Sequence, residues 1–467
     1  MVLTTKKPPA TRTEKDSLGE REVPAEALYG IHTLRSMENF DAAEAPLDIE
    51  IIRGIVKLKW ACALANAEIG NLDSGKADAI AWACDEVLAR KYDNEFTIDV
   101  FQAGSGTSTN MNVNEVLANI ACVHLGGKPG DRELIHPIDD VNMGQSTNNV
   151  FPSGVKVAAS ERAHLVQEAM RALEAELHKK EAEFDHVIKS GRTHLQDAVP
   201  ITLGQEFGAY AHALEKANLR IEDARQHCAA LGVGGNAVGT GLNTTIGFRR
   251  RIVQKLNEIT GGKYHVAENG IEITQFATDI GEMAGALKFL ALDLLKICND
   301  LRLLSSGPNT GLREITLPAV EPGSSIMPGK VNPSVCEAAN MACIQVVGYE
   351  AAISMACGLG QLELNTHMPL IGHNVLKSNR ILRRTCFMLA TKCVNGISAN
   401  EEVCRRYFEH SAGLGTVLNP KLGYDAVAEL ISESLSSGKT LKELVLEKEI
   451  MDEAHLDFLL TKSIGPT

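Results

Sequence analysis

Aromatic side chains are scarce in this chain: Phe, Tyr and Trp together make up 4% of 467 residues, and Trp occurs twice. Hydrophobic residues still reach 44%, so the interior must be filled mostly by Ala, Leu, Val and Ile. That mixture favours closely packed helices over aromatic-rich sheets. Positive charge is also in deficit. The formal net charge is −13, the wrong sign for a general nucleic-acid binder or for attachment to an anionic membrane. No apolar run approaches the roughly 18–20 residues of a membrane span. The N-terminal MVLTTKKPPATRT has no apolar h-region, so it reads as a flexible arm rather than a secretory signal. Eleven cysteines are scattered with no C-x-x-C pair, most of them in apolar helical surroundings. An odd number so distributed implies reduced thiols and a cytoplasmic protein. No H-E-x-x-H and no zinc-site spacing occur, so no catalytic metal is expected. No nucleotide loop occurs either, and no cofactor is called for.

What is present is helical. The chain divides into a mixed, mostly helical region at 1–145, a central long-helix bundle at 146–395 and a small helical region at 396–467. VKVAASERAHLVQEAMRALEAELHKKEAEFDHVIK reads as one long helix, free of Pro and Gly. Residues 204–229 read as a second. Over 272–305, Phe276, Ile280, Met283, Leu287, Leu290, Leu294, Ile297, Leu301 and Leu304 alternate spacings of four and three. Such a stripe demands a bundle, and a helix this apolar is buried on several sides, with helices of other subunits among its partners. Helices at 333–357 and 362–394 follow. LNPKLGYDAV reads as loop and turn, and 440–462 as small helices.

Four polar segments interrupt this pattern. QAGSGTSTNMNVNEVLANI (102–120) supplies Ser105, Thr107, Ser108, Asn110, Asn112 and Asn114 just before a helix, more than a cap needs. DDVNMGQSTNNVFPSG (139–154) puts Ser146, Thr147 and Asn148 at another helix start, where partial positive charge can hold a carboxylate. SGRTHLQDAVPITLGQEF (190–207) offers Thr193 and His194, the latter useful as a catalyst if a carboxylate polarises it. EPGSSIMPGKVNP (321–333) cannot be a regular helix. Its glycines suggest a mobile lid, and Ile326, Met327 and Val331 suit a loop that closes over a site and excludes water. Together these segments offer hydroxyls, amides, one His and one Lys. Such a set suits a small dianion held at both ends and the negative charge that develops in its transition state.

With these blocks in order, nearly the whole chain resembles the aspartase/fumarase superfamily. GSSIMPGKVNP is its signature, and GSGTSTNMNVNEVLAN, DDVNMGQSTNN, GRTHLQDAVPITLGQE and GNAVGTGLNT are similar to its other blocks. The resemblance implies a mainly α, three-domain fold with a central five-helix bundle. It further implies a homotetramer with a 20-helix core and active sites shared by three subunits. The implied chemistry is anti elimination from a small dicarboxylate through an aci-carboxylate carbanion. Ser324 would take the Cβ proton, its oxyanion stabilised by loop N–H groups and Lys330. Thr107, Ser146, Thr147 and the Ser325 amide would hold the carboxylate that takes up charge. Thr193, Lys330 and Asn332 would hold the other carboxylate. Asn148 and His194 would face the leaving group, with Glu337 orienting His194.

Within the superfamily, GEREVPAEALYGIHTLRSMENF, QSTN, GQLELN and KCVNGISANEEVC are aspartase-like. They imply ammonia as the leaving group, from L-aspartate to fumarate. GSGT at 104–107 and VCEA at 335–338 lean toward fumarase, which releases water from malate. The second carboxylate segment of fumarases, HPNDD, reads HPIDD here, with Ile138 in place of Asn. Asn149, where an acid is usual, and His367 in NTHM depart from the pattern. They leave open a lyase of another substituted succinate, or neutral packing changes.

Overall fold

A computed structural model describes residues 10–43, 45–462 and 464. It opens with an antiparallel hairpin, β1 (Thr11–Asp16) and β2 (Gly19–Pro24). The expected N-terminal arm is therefore ordered from Thr11 onward, and its first nine residues lie outside the described part. Helices α1 (Ile31–Asn39), α2 (Ile49–Glu68), α3 (Ser74–Leu88), α4 (Thr107–His124) and α5 (Thr147–Glu183) follow. A second hairpin, β3 (Ile188–Thr193) and β4 (Gln196–Thr202), separates α5 from α6 (Leu203–His227). Then come β5 (Ala230–Leu231), α7 (Phe248–Thr260), β6 (His265–Val266), α8 (Glu272–Gln275) and α9 (Thr278–Leu304). The chain continues through β7 (Ile315–Thr316), α10 (Ser334–Cys357), α11 (Met368–Lys392), β8 (Ser398–Ala399) and α12 (Glu401–Glu409). It closes with α13 (Gly415–Leu422), α14 (Tyr424–Ser437), α15 (Leu441–Glu447) and α16 (Glu453–Lys462). The fold is mainly α, as expected, and no described helix is long and apolar enough to cross a membrane. All eleven cysteines are free thiols.

Several boundaries differ from the sequence reading, each for a local reason. The first long helix begins earlier, at Thr147, and carries Pro152 inside it, one turn past its start, where the ring leaves Asn148 O without its i→i−4 donor. It also ends earlier, since Ile188 and Lys189 pair in β3 with Thr202 and Ile201. The heptad helix is broken by Phe276, whose backbone is extended (φ −102°, ψ 139°), and Phe276 is exposed rather than part of the stripe. From Ile280 to Leu304 every stripe residue is buried within the chain. Phe289, Leu292 and Leu303 on the same helix remain exposed, as do Met341, Ile344 and Met355 on α10. LNPKLGYDAV is helical on both sides of Gly423 rather than loop.

By compactness the chain forms two units, each assembled from three stretches. The first comprises residues 1–166, 220–288 and 345–381. In it α2 packs against α3, α4 and α7 around Ile51, Ile55, Val56 and Leu58. The second comprises 167–219, 289–344 and 382–467. Its C-terminal helices enclose their own apolar cluster of Phe408, Leu414, Leu418, Val427, Leu444 and Val445.

Candidate functional site

In the first unit, two helix N-termini converge. The turn before α4 is left-handed at Ser105 (φ +62°) and Gly106 (φ +91°). A Cβ on Gly106 would stand 2.2 Å from the ring of Phe151, so only glycine lets α4 start this close to α5. The Ser105 N–H donates to Thr366 O at 2.9 Å, and its hydroxyl lies 3.4 Å from Asn148 Oδ1. Asn148 Nδ2 in turn donates to Ala237 O at 2.8 Å.

Ser146 begins α5, accepting the Asn148 N–H on Oγ (3.3 Å) and the Asn149 and Val150 N–H groups on its carbonyl. Thr147 Oγ1 accepts from Asn110 Nδ2 at 3.0 Å. Each hydroxyl therefore already accepts a protein hydrogen bond and keeps its own O–H to donate, the polarity a carboxylate ligand needs. Thr107, at the start of α4, lines a cavity of about 480 Å³ with His32, Arg35, His136 and Ile138. Ser108 lines the same cavity, and the asparagines of the 102–120 block lie in the interior. Ser108, Asn110, Asn112 and Asn114 are buried, with Asn112 donating to Glu95 O. Asn149 is buried too, donating to Thr274 Oγ1 at 2.8 Å.

In the second unit the 323–332 loop is closed by its own backbone. Gly323 N–H donates to Lys330 O at 2.8 Å, and Asn332 Nδ2 donates to Gly323 O at 2.7 Å. At its centre Ser324 Oγ accepts the N–H groups of Ile326 (3.2 Å) and Met327 (3.0 Å). Ser325, Lys330, Ile326, Met327 and Val331 are exposed. Thr193 and His194 occupy the tip of the β3–β4 hairpin. His194 (φ +55°) and Leu195 (φ +59°) form its two-residue turn. Left-handed backbone at both central positions is what a two-residue hairpin turn requires, and it is costly for side chains such as these.

The hairpin base is pinned by buried charge. Glu314, fully buried, accepts from Lys189 (2.7 Å) and Arg192 (2.8 Å), and Lys189 also reaches Glu206 at 2.6 Å. Burial opposes the charge on Lys189, but the two carboxylates outweigh it and hold its pKa above the ordinary value. Glu337 lies 3.8 Å from Arg302, and no hydrogen bond joins it to His194 within the chain. Sequence reasoning missed Asn110 as the holder of Thr147, and the Lys189–Glu314–Arg192 clamp. Neither carries a motif, since each partner is distant in sequence. Among the described residues, Glu174, His178 and Glu215 form the group whose ligand atoms could close on a metal, within 4.8 Å of one another. There His178 Nδ1 is bonded to Glu181 (2.7 Å) within α5 and Nε2 lies 3.3 Å from Glu215 on α6, so its ring nitrogens already face carboxylates in a partly buried surface cluster.

Known proteins resemble the chain over nearly its whole length. A family model described as "Lyase" matches residues 19–348, and one described as "Fumarase C C-terminus" matches 414–463. The chain is 44% identical to an aspartate ammonia-lyase of Corynebacterium glutamicum over 454 residues, 97% of this chain and 86% of that one. It is 46% identical to a class II fumarate hydratase of Corynebacterium efficiens over 447 residues, 95% of this chain and 93% of the other. A solved fumarate lyase:delta crystallin structure from Brucella melitensis superposes with a TM-score of 0.94 at 44% identity. The match covers 97% of this chain and 99% of that one.

Proposed function

The chain belongs to the aspartase/fumarase superfamily of lyases, and on that premise we propose that it eliminates ammonia reversibly from L-aspartate to give fumarate. The observation that carries the reading is Ser324, whose Oγ already accepts two backbone N–H groups. A serine hydroxyl is a weak base near neutral pH, and donors fixed on its oxygen stabilise the alkoxide it must become. That alkoxide removes the Cβ proton. The adjacent carboxylate then takes up negative charge as the aci form, held by the hydroxyls of Thr107, Ser146 and Thr147 and by the Ser325 N–H. Each such preorganised donor can contribute about 10²–10³ in rate. Thr193, Lys330 and the second N–H of Asn332 hold the far carboxylate, with Lys330 supplying the cation.

Asn148 and His194 face the departing ammonia. Glu337 orients His194 in the assembled enzyme, exchanging its loose 3.8 Å contact with Arg302 for the imidazole. We take the assembly to be a cytoplasmic homotetramer with three subunits at each site. The exposed apolar residues of α9 and α10 and the exposed hairpin tip support this. A division at 1–145, 146–395 and 396–467 is supported by the separate apolar cluster of the last region.

The choice of ammonia rests on the aspartase-like blocks at 19–40 and 145–148, since overall identity is as high to a fumarate hydratase as to an aspartate ammonia-lyase. Fumarate hydratase is the second reading. Absorbance at 240 nm, followed with L-aspartate and with L-malate, decides between them. Fumarate is expected from aspartate. Turnover of malate alone would replace the proposal with the hydratase, and turnover of neither with a lyase of another substituted succinate.

A further inference from the structure

Four lysines of the described chain are buried: Lys59, Lys156, Lys180 and Lys189. Three have a carboxylate partner, respectively Asp279 for Lys156, Glu183 for Lys180, and Glu206 with Glu314 for Lys189. Lys59, on α2, is fully buried and has none among the described residues. Its ammonium donates to two neutral amide oxygens, Asn142 Oδ1 at 2.9 Å and Gln145 Oε1 at 3.1 Å. A buried cation without a counter-charge is costly, and that cost falls when an anion binds nearby or when the group gives up its proton.

The amides it holds belong to the carboxylate cradle. Asn142 Oδ1 also accepts from Asn110 Nδ2 at 3.3 Å, and the same Asn110 amide donates to Thr147 Oγ1. Asn142 Nδ2 donates to Gln145 O, closing the turn that presents Ser146 and Thr147. Lys59 thus anchors the turn from behind, three hydrogen bonds away, through Asn142 and Asn110, from the Thr147 hydroxyl that would hold substrate.

We propose that Lys59 is a positioning residue of this cradle and that its buried positive charge is completed by a carboxylate bound at Ser146 and Thr147. The inference rests on the dicarboxylate reading above. Burial lowers the Lys59 pKa to about 7. The titratable groups facing it are Cys62 on its own helix and Cys84 on α3, and the same burial pushes both thiols up, Cys62 to about 12. Both stay neutral near pH 7, and α4 and the 142–145 turn contribute only amides. With the cradle empty Lys59 sheds its proton near neutrality; a bound dianion restores it. Binding of an unreactive dicarboxylate is therefore coupled to proton uptake.

The experiment uses succinate, which cannot eliminate, and the intact protein. Calorimetry at pH 7.5 in two buffers of different ionisation enthalpy measures protons taken up on binding. Uptake is expected, with affinity falling up to about tenfold per pH unit above the Lys59 pKa. Lys59→Arg, whose charge does not titrate, should bind succinate without uptake. Lys59→Met should bind about tenfold or more weakly at pH 7, raising KM more than it lowers kcat. Should both variants fail to fold, His194→Gln separates the two possible proton acceptors in the wild-type background. Uptake that persists in that variant supports Lys59. Uptake that vanishes there, survives in Lys59→Arg, or is absent from the wild type overturns the proposal. Failure of aspartate turnover would remove the leaving-group assignment and leave this binding result standing.

Discussion

The cradle of the first unit and the serine loop of the second are built on opposite plans. The cradle is held by distant residues: Phe151 wedged against Gly106, Asn110 on Thr147, and Thr366 on Ser105. The loop is held by itself, with its base closed between Gly323, Lys330 and Asn332 and its serine capped by residues two and three positions on. Groups that must hold a developing charge gain from rigidity, because donors that need not reorganise stabilise the transition state most. A base that must meet each new substrate gains from a segment able to move without unfolding its surroundings. Damage to the cradle should therefore lower stability and activity together, and damage to the loop should lower activity alone.

Ser324→Ala should show the largest effect of that kind. It removes the base, and kcat should fall about 10³-fold or more while the melting temperature and the oligomeric state stay at wild type. Near-normal turnover would assign the base elsewhere. Gly106→Ala should cost about 3 kcal/mol or more, from left-handed strain plus overlap with the Phe151 ring, read by urea denaturation. A stable Gly106→Ala protein would mean that the cradle is looser than its packing implies.

Asn110→Ala should lose about 1–3 kcal/mol of stability and also reduce kcat, since Thr147 loses the donor that orients it. Loss of only one of the two would uncouple support from chemistry. The cradle should also stiffen with pH. Lys59 folds with its pKa lowered to about 7, so between pH 7 and 10.5 the unfolded chain binds more protons. Wild-type stability should rise from pH 7 to 9, and Lys59→Met should flatten that rise; above pH 9 the raised pKa of Cys62 acts in the opposite sense. Gly329→Ala should show the smallest effect. Gly329 has φ +82° with open space where a Cβ would stand, so about 1 kcal/mol of strain is expected, with a modest change in kcat and no change in cooperativity. Global destabilisation would tie the loop to the core.

Reading outward from the residues, the serine loop was the most legible part of the molecule. Its shape follows from Gly323, Gly329 and short-range hydrogen bonds, which are written in thirteen consecutive positions. The helices were legible as well, from periodicity, though not their ends. Phe276 fits the heptad but not the helix, and the 147–183 helix stops where β3 finds its partner strand, which no local pattern announces. The polar block at 102–120 showed the limit in another way. Side chains that looked alike as ligand donors divide into two that line a cavity, Thr107 and Ser108, and others buried as struts, such as Asn110 and Asn112.

Sequence alone determined the helical class and the family, and it is the source of the proposal that Ser324 is the base, because each depends on residue type and near-neighbour spacing. The tertiary structure alone decided which hydroxyls keep a proton to donate, which carboxylates clamp the histidine hairpin, and that Lys59 lies buried with amide oxygens but no carboxylate beside it among the described residues. Those outcomes depend on residues tens to more than a hundred positions apart meeting at about 3 Å, and the free energy of a hydrogen bond or a buried charge is set by that meeting.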